Sequence, residues 1–209
     1  MIIQQENVIP TDITLIGAGG QAKVVADVIL NLGVNRLCII DSSPTKVGDK
    51  IQNIQVSLLD ETSLIQKFHI AIGDNKVRSD LYSRYRCEAE YISVISPYAY
   101  IASTATVNCG SFVAAKAVVS ADSKIDLGCI INHGAIIEHD CLVGQFCHVA
   151  PNATLLGGVT LGDRVFVGSG ATILPGVKVA DDVTIGAGAV VLSDILDSCT
   201  VVGLPAKRI

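Results

Sequence analysis

The sequence predicts two folds in succession: a small parallel α/β unit over residues 1–95, then a β-solenoid of six-residue repeats over residues 96–209. Three observations lead there. From about Ile95 a branched aliphatic recurs at every sixth position, and ahead of it apolar runs alternate with a helix-like stretch behind a glycine turn. Half of the 209 residues are hydrophobic, yet only 4 % are aromatic and Trp is absent. The core must therefore be built from Ile, Val, Leu and Ala.

The repeat is the stronger signal. Stepping by six from Ile101 through Val107, Val113 and Val119 to Val191 meets sixteen branched aliphatics without a slip. Four residues after each of the first fifteen stands a small residue or Val, among them Ser123, Cys129, Ala135, Cys141 and Cys147. Gly directly follows the aliphatic at Val143, Leu161, Val167 and Ile185. One aliphatic per hexad fills a narrow prism, each short strand ends in a turn with a small residue inside, and coils are stabilised chiefly by stacking on their neighbours. The composition shift puts the boundary near Ser96-Pro97.

The first unit reads as strand, glycine turn and helix from Ile13 to Leu32, with Val24, Val25, Val28, Ile29 and Leu32 on the apolar face. A second strand, Leu37 to Ile40, ends at Asp41, and a third, His69 to Ile72, ends at Gly73-Asp74-Asn75. Gly17-x-Gly19-x-x-Ala22, with Asp41 as the acid downstream, fits a fingerprint in which backbone N–H groups approach a phosphate at a helix N-terminus. A dinucleotide fold needs two such halves and this segment supplies one, so a single nucleotide, such as a nucleotide-sugar, is favoured over NAD. The alternative is structural: the glycines close a tight βα turn and Asp41 caps a strand.

Charge and cysteine usage narrow the classes. With 15 Lys plus Arg against 20 Asp plus Glu the net charge is −5, which argues against nucleic acid as a partner. Seven Cys with no CxxC pair argue against a disulfide framework and a zinc ribbon, and no apolar run reaches the roughly 18 to 20 residues of a membrane span. A cytoplasmic location with reduced cysteines is expected.

Three of the four histidines, His133, His139 and His148, cluster in one short stretch of the solenoid, third, third and sixth in their hexads, so none occupies the inward aliphatic slot. Outward histidines on a prism are often only solvated. Three His with nearby Cys could bind zinc, but Cys141 and Cys147 hold the interior small slot, facing away from them, and no metal is expected.

The stretch LGDRVFVGSGATILPGVKVADDVTIGAGAVV and the terminal VVGLPAKRI resemble hexapeptide-repeat acyltransferases. Together, GAGGQAKVV, AIGDNKVR and AIIEHDCLVGQFCHVAPNA resemble the NeuD/PglD type, which comprises nucleotide-linked 4-amino-sugar N-acetyltransferases and proposed sialic acid O-acetyltransferases. The resemblance implies a Rossmann-like first domain that holds the sugar nucleotide. It implies next a left-handed β-helix with three hexads to each coil, which supplies the catalytic histidine and the acetyl-CoA groove, in a homotrimer. By residue it implies Gly19, Gly20 and Gln21 on the phosphate side, Asp41 at the base or ribose, and Gly73 and Asp74 in the loop after the third strand. A second acid found after the first in some members is here Ser42.

Glu138-His139-Asp140 matches the family's histidine–acid pair, making His139 the general base and Asp140 its orienting carboxylate. Neighbours in a strand face opposite ways, so the pair must flank a turn; otherwise Asn132 or Glu138 would orient the ring. With three hexads to a coil, His133, Pro151, Ser169 and Ala187 form one column and His139, Gly157 and Pro175 another. Ser169 and Ala187 are expected to border the pantetheine arm, His148 to meet the thioester end, Asn132 to help position the reactants, and the Gly157 N–H to hold the oxyanion. His148 lies half a coil from His139, so a neighbouring chain is expected to complete the site. The activity expected is acetyl-CoA-dependent N-acetylation of the 4-amino group of a nucleotide-linked amino (dideoxy) sugar for bacterial surface glycans. The alternatives are O-acetylation of sialic acid and a non-catalytic nucleotide-binding scaffold.

Overall fold

The computed structural model describes residues 12–60 and 65–209, and the chain divides into two compact units between Val94 and Ile95. In the first unit β1 (Asp12–Ile16) leads through a glycine turn into α1 (Gly20–Asn31), followed by β2 (Arg36–Asp41), β3 (Lys50–Ile51), β4 (Ile54–Leu58), β5 (Lys67–Ile70), α2 (Asn75–Tyr85) and β6 (Glu90–Tyr91). The sheet runs β3-β4-β2-β1-β5-β6. Every pairing is parallel except β3 with β4. The all-parallel expectation is thus corrected at one edge. Gln52 and Asn53 both take positive φ (50° and 64°), the geometry of a two-residue hairpin that the pair does not advertise as Asn-Gly would.

The third strand begins and ends two residues before the predicted run, although the Ala71 N–H still reaches the Ile16 carbonyl at 2.8 Å. Helix α1 buries Ala22, Val25, Ala26, Val28 and Ile29, while Val24 and Leu32 are only half-buried; the inward face is rotated toward the alanines. Beneath β5, Phe68 stacks on Tyr91 with ring centroids 4.8 Å apart and meets Tyr85 edge-on at 6.0 Å.

From Val94–Ile95 onward, strands of two or three residues form three sheets of eight, six and five strands, parallel except where the last strand, Lys207–Arg208, pairs antiparallel with Thr200–Val202. Partners are three hexads apart: Val113 pairs with Ile131, Val119 with Ile137 and Ile125 with Val143. From Val113 to Val191 every aliphatic of the repeat is at most 3 % exposed. Only the first two, Ile101 and Val107, are half-buried at the start of the solenoid.

The turns obey a rule that the composition obscures. The fourth residue of every hexad from Gly110 to Gly188 has φ between 54° and 71°. Half of these residues are not Gly; they include Lys116, Phe146 and Arg164. Such a conformation is costly for an L-residue and persists only where stacking on the coils above and below imposes it.

Candidate active site

His139 and Asp140 stand on a turn between the strands Ile136–Ile137 and Leu142–Val143, and Asp140 takes φ 60°. That left-handed step brings consecutive side chains to the same side: His139 Nδ1 and Asp140 Oδ2 are 2.8 Å apart. The carboxylate accepts the Nδ1 proton of the neutral ring and leaves Nε2 free to take one. It also raises the imidazole above its ordinary 6.5 by stabilising the charged form.

The ring lies over Gly157, one coil on. A Cβ at Gly157 would stand 2.6 Å from His139 Cε1 and 2.7 Å from Nε2, so only a hydrogen fits there. The neighbouring Gly158 N–H is taken by the His139 carbonyl at 2.9 Å. The Gly157 N–H has no partner among the described residues. The side chain that meets the His139 ring nitrogen is thus Asp140, and Asn132 is engaged elsewhere.

Asn132 links the other two histidines of the segment. Its Oδ1 accepts from the His133 backbone N–H (2.9 Å) and faces His133 Nδ1 (3.1 Å), while its Nδ2 donates to His148 Nε2 (3.2 Å). Because Nε2 accepts, His148 is neutral with its proton on Nδ1. His148 corrects the reading of the histidines as solvated: it is 9 % exposed, edge-on to Phe166 with centroids 5.2 Å apart.

The column His133, Pro151, Ser169, Ala187 is present as a ladder. Asn152, Gly170 and Gly188 donate backbone N–H bonds to the carbonyls of His133, Pro151 and Ser169 at 2.9 to 3.0 Å. Ser169 and Ala187 are exposed. This column and the His139–Gly157 column run along different corners, so one chain does not bring all the predicted residues together. Among the described residues no group of three or more His, Cys, Asp or Glu is arranged to hold a metal ion.

In the first unit Gly17 takes φ 109°, and a Cβ there would lie 2.7 Å from Ile72 Cγ1. Gly19 and Gly20 are open and exposed at the start of α1, which has no side-chain cap and no acid in its first turn. Such an end suits an anion. Gln21 Nε2 is buried there without a partner among the described residues. Asp41 braces the loops around it: Oδ2 accepts the Ala18 N–H at 2.7 Å and Oδ1 the Ser43 N–H at 2.8 Å. Asp74 caps α2 through the Val77 N–H at 2.9 Å.

One residue given no role from the sequence organises this end. Arg78 is 1 % exposed, and its Nη1 donates to the carbonyls of Ile72 (3.0 Å), Gly73 (3.3 Å) and Asp74 (3.4 Å). Its Nη2 reaches Asn75 Oδ1 at 2.9 Å. The signal available was a lone Arg four residues after an Asp N-cap, where a folded-back guanidinium meets the loop carbonyls.

Two family models match the chain. Residues 12–85 match the PglD N-terminal domain and residues 158–193 the bacterial transferase hexapeptide, six repeats. The acetyltransferase domain of PglB from Neisseria gonorrhoeae is 33 % identical, over 95 % of this chain and 100 % of that one, with a TM-score of 0.89. The chain belongs to the PglD family of hexapeptide-repeat acetyltransferases.

Another relative is PerB from Caulobacter crescentus, solved with CoA and GDP-perosamine. It is 35 % identical over 95 % of this chain and 97 % of that one, with a TM-score of 0.88. WeeI from Acinetobacter baumannii, 21 % identical over 94 % of this chain and 99 % of that one with a TM-score of 0.83, shares the fold. An uncharacterized protein of Acanthamoeba polyphaga mimivirus is 32 % identical over 108 residues; the chain spans about a fifth (21 %) of its length.

Proposed function

We propose that this PglD-family enzyme transfers the acetyl group of acetyl-CoA to the 4-amino group of a nucleotide-linked amino (dideoxy) sugar, in the cytoplasm, for bacterial surface glycans. The observation that carries the reading is the His139–Asp140 pair, 2.8 Å apart and packed on Gly157, in a chain 35 % identical to an enzyme bound to CoA and GDP-perosamine.

The sugar nitrogen attacks the thioester carbonyl carbon while His139 Nε2 takes a proton from the nitrogen, and Asp140 stabilises the imidazolium. The Gly157 N–H donates to the oxyanion of the tetrahedral intermediate. Collapse breaks the carbon–sulfur bond, and the thiolate leaves with the proton that His139 returns, giving the amide and free CoA. Asn132 and His148 position the thioester end, and Ser169 and Ala187 border the pantetheine arm. Residues 96–209 thus bind acetyl-CoA and carry the chemistry. Residues 1–95 hold the sugar nucleotide at Gly19, Gly20, Gln21, Asp41, Gly73 and Asp74. Because His148 and the Ser169–Ala187 column lie on other parts of the prism than His139, the working site forms between subunits of a homotrimer.

The test is thiol release from acetyl-CoA with a panel of GDP-, UDP- and dTDP-linked 4-amino sugars and sialic acid, on wild type and His139→Ala. An amino-sugar nucleotide should be acetylated, and His139→Ala should lower turnover by roughly 10² to 10⁴ while leaving acetyl-CoA affinity nearly unchanged. Retention of more than about half the turnover would remove the base, and turnover with sialic acid alone would replace nitrogen by oxygen as the acceptor.

A further inference from the structure

The turn that carries His139 differs from four others stacked at its corner. Four neighbouring turns there are closed by a backbone bond from the fifth residue of the hexad to the second. These run from Ala105 to Ala102 (3.0 Å), Ser123 to Ser120 (3.4 Å), Val159 to Leu156 (3.3 Å) and Val177 to Leu174 (3.3 Å). At Glu138–Cys141 a side chain is inserted instead. The Cys141 N–H donates to Ser123 Oγ at 3.1 Å, and the same hydroxyl donates to the Glu138 carbonyl at 2.6 Å. Ser123 is fully buried, in the small interior slot one coil before Cys141.

We infer that Ser123 is a positioning residue, whose buried hydroxyl holds the Glu138–Cys141 turn open and thereby sets where His139 and Asp140 stand. The two groups it bridges are the backbone anchors on either side of that pair. Without the hydroxyl the turn must close on a direct bond, as its four neighbours do, or leave a buried N–H and a buried carbonyl unpaired. Either outcome moves the imidazole relative to the Gly157 backbone beneath it and loosens the 2.8 Å contact to Asp140.

The fold supplies its own control. Ser111 makes the same insertion at another corner: the Cys129 N–H donates to Ser111 Oγ at 3.2 Å, and Ser111 Oγ donates to the Asp126 carbonyl at 3.1 Å. The turn it bridges, residues 126–129, carries no histidine. A purely structural role would make the two serines equivalent.

This inference rests on His139 being the base, and the experiment separates the two. Steady-state kinetics with acetyl-CoA and a GDP-linked 4-amino sugar are measured for wild type, Ser123→Ala, Ser123→Val, Ser123→Cys, Ser111→Ala and His139→Ala, and the His139 imidazole is titrated by NMR in the serine variants. Ala stands in the same slot one coil earlier (Ala105) and Val two coils later (Val159), so both replacements suit the corner.

Ser123→Ala and Ser123→Val should lower kcat about 10- to 100-fold with KM within about twofold, and bring the His139 titration down toward that of a free imidazole. Ser123→Cys should lose as much, because at this same corner Cys141 donates to the Leu156 carbonyl at 3.3 Å while the direct Val159–Leu156 bond still closes that turn. Ser111→Ala should lower the melting temperature comparably and leave kcat and the titration alone.

Wild-type kcat and titration in Ser123→Ala and Ser123→Val, or an equal loss of kcat in Ser111→Ala, would overturn the assignment. If His139→Ala stays active while Ser123→Ala still shifts the titration, the base reading falls and the positioning role stands. An inactive His139→Ala beside an unperturbed Ser123→Ala is the converse.

Discussion

At the scale of single residues, the site depends on what is small and what is turned back. Gly157 has no positive φ to protect, but its missing Cβ is the floor on which the His139 ring rests. Gly157→Ala should therefore keep the fold and lower kcat by about tenfold or more, because the added methyl displaces the ring. Steady-state kinetics beside a melting curve checks this; unchanged kcat would mean the ring has another place to go. The Asp140 contact raises the His139 pKa, and a base must be unprotonated to act. The acidic limb of the kcat/KM profile should accordingly lie above the ordinary imidazole value. In Asp140→Asn the limb should move to lower pH while the plateau falls. Desolvation, which lowers the ring, then outweighs the Glu138 charge, which raises it, so the limb should reach the ordinary imidazole value or pass below it.

At the scale of elements, the two units fail in different ways. In the first, burial in β5 lowers His69 to about 4, its Nδ1 proton donated to the Ile92 carbonyl at 2.9 Å with the Arg78 guanidinium adding to the shift. The fold keeps this ring neutral, whereas the unfolded chain protonates it near 6.5. Its contribution is thus complete above pH 6.5 and is lost as the pH falls toward 4, with a slope of up to about 1.4 kcal/mol per pH unit. Urea unfolding at pH 7 and pH 5 should show that slope in wild type and a flatter one in His69→Asn.

In the solenoid the relevant contrast is inward against outward on one coil. Val167 is 0 % exposed in the prism, and Val167→Asp should destabilise by on the order of 4 kcal/mol through a buried unpaired charge. Ser169, two residues on, is exposed. Ser169→Trp and Ala187→Trp should keep the melting temperature within a few degrees and abolish CoA binding, read by calorimetric titration. Wild-type CoA affinity in both would take the cofactor away from that column.

At the scale of the whole molecule, the predicted site residues of the solenoid lie on separate corners of one prism. Two cavities of the chain, of about 340 Å³ between Val191 and Arg208 and about 260 Å³ beside Asp12, Arg36 and Gln66, include none of them. A site shared between subunits makes a specific prediction. His139→Ala and His148→Ala chains should each be nearly inactive alone, yet after co-expression random trimers should recover about a quarter of wild-type turnover, since half of the chains offer each residue at a given interface. No recovery, with mixed trimers demonstrated by sedimentation, would place both histidines in one subunit's site.

How much was legible from the sequence follows from the range of each interaction. The six-residue spacing specified which residues fill the prism, because an aliphatic at every sixth position and a small residue four later satisfy only one stacked coil. The Glu138-His139-Asp140 motif pointed to the turn on which an imidazole and a carboxylate meet. The β3–β4 hairpin escaped notice because Gln52-Asn53 adopts its turn without the usual Gly, and Arg78 because its partners are loop carbonyls that only the folded loop assembles. Asp140's reversal was required by the motif, but its 60° φ is imposed by stacking that no local preference at that position reveals. Tertiary structure alone decided that the imidazole rests on Gly157, that Ser123 bridges the turn from one coil before, and that both Asp41 oxygens brace backbone N–H groups. Each of these joins groups separated along the chain through one side-chain rotamer. A repeating pattern constrains average burial along the chain, whereas a single directed hydrogen bond exists only once the coils have brought donor and acceptor together.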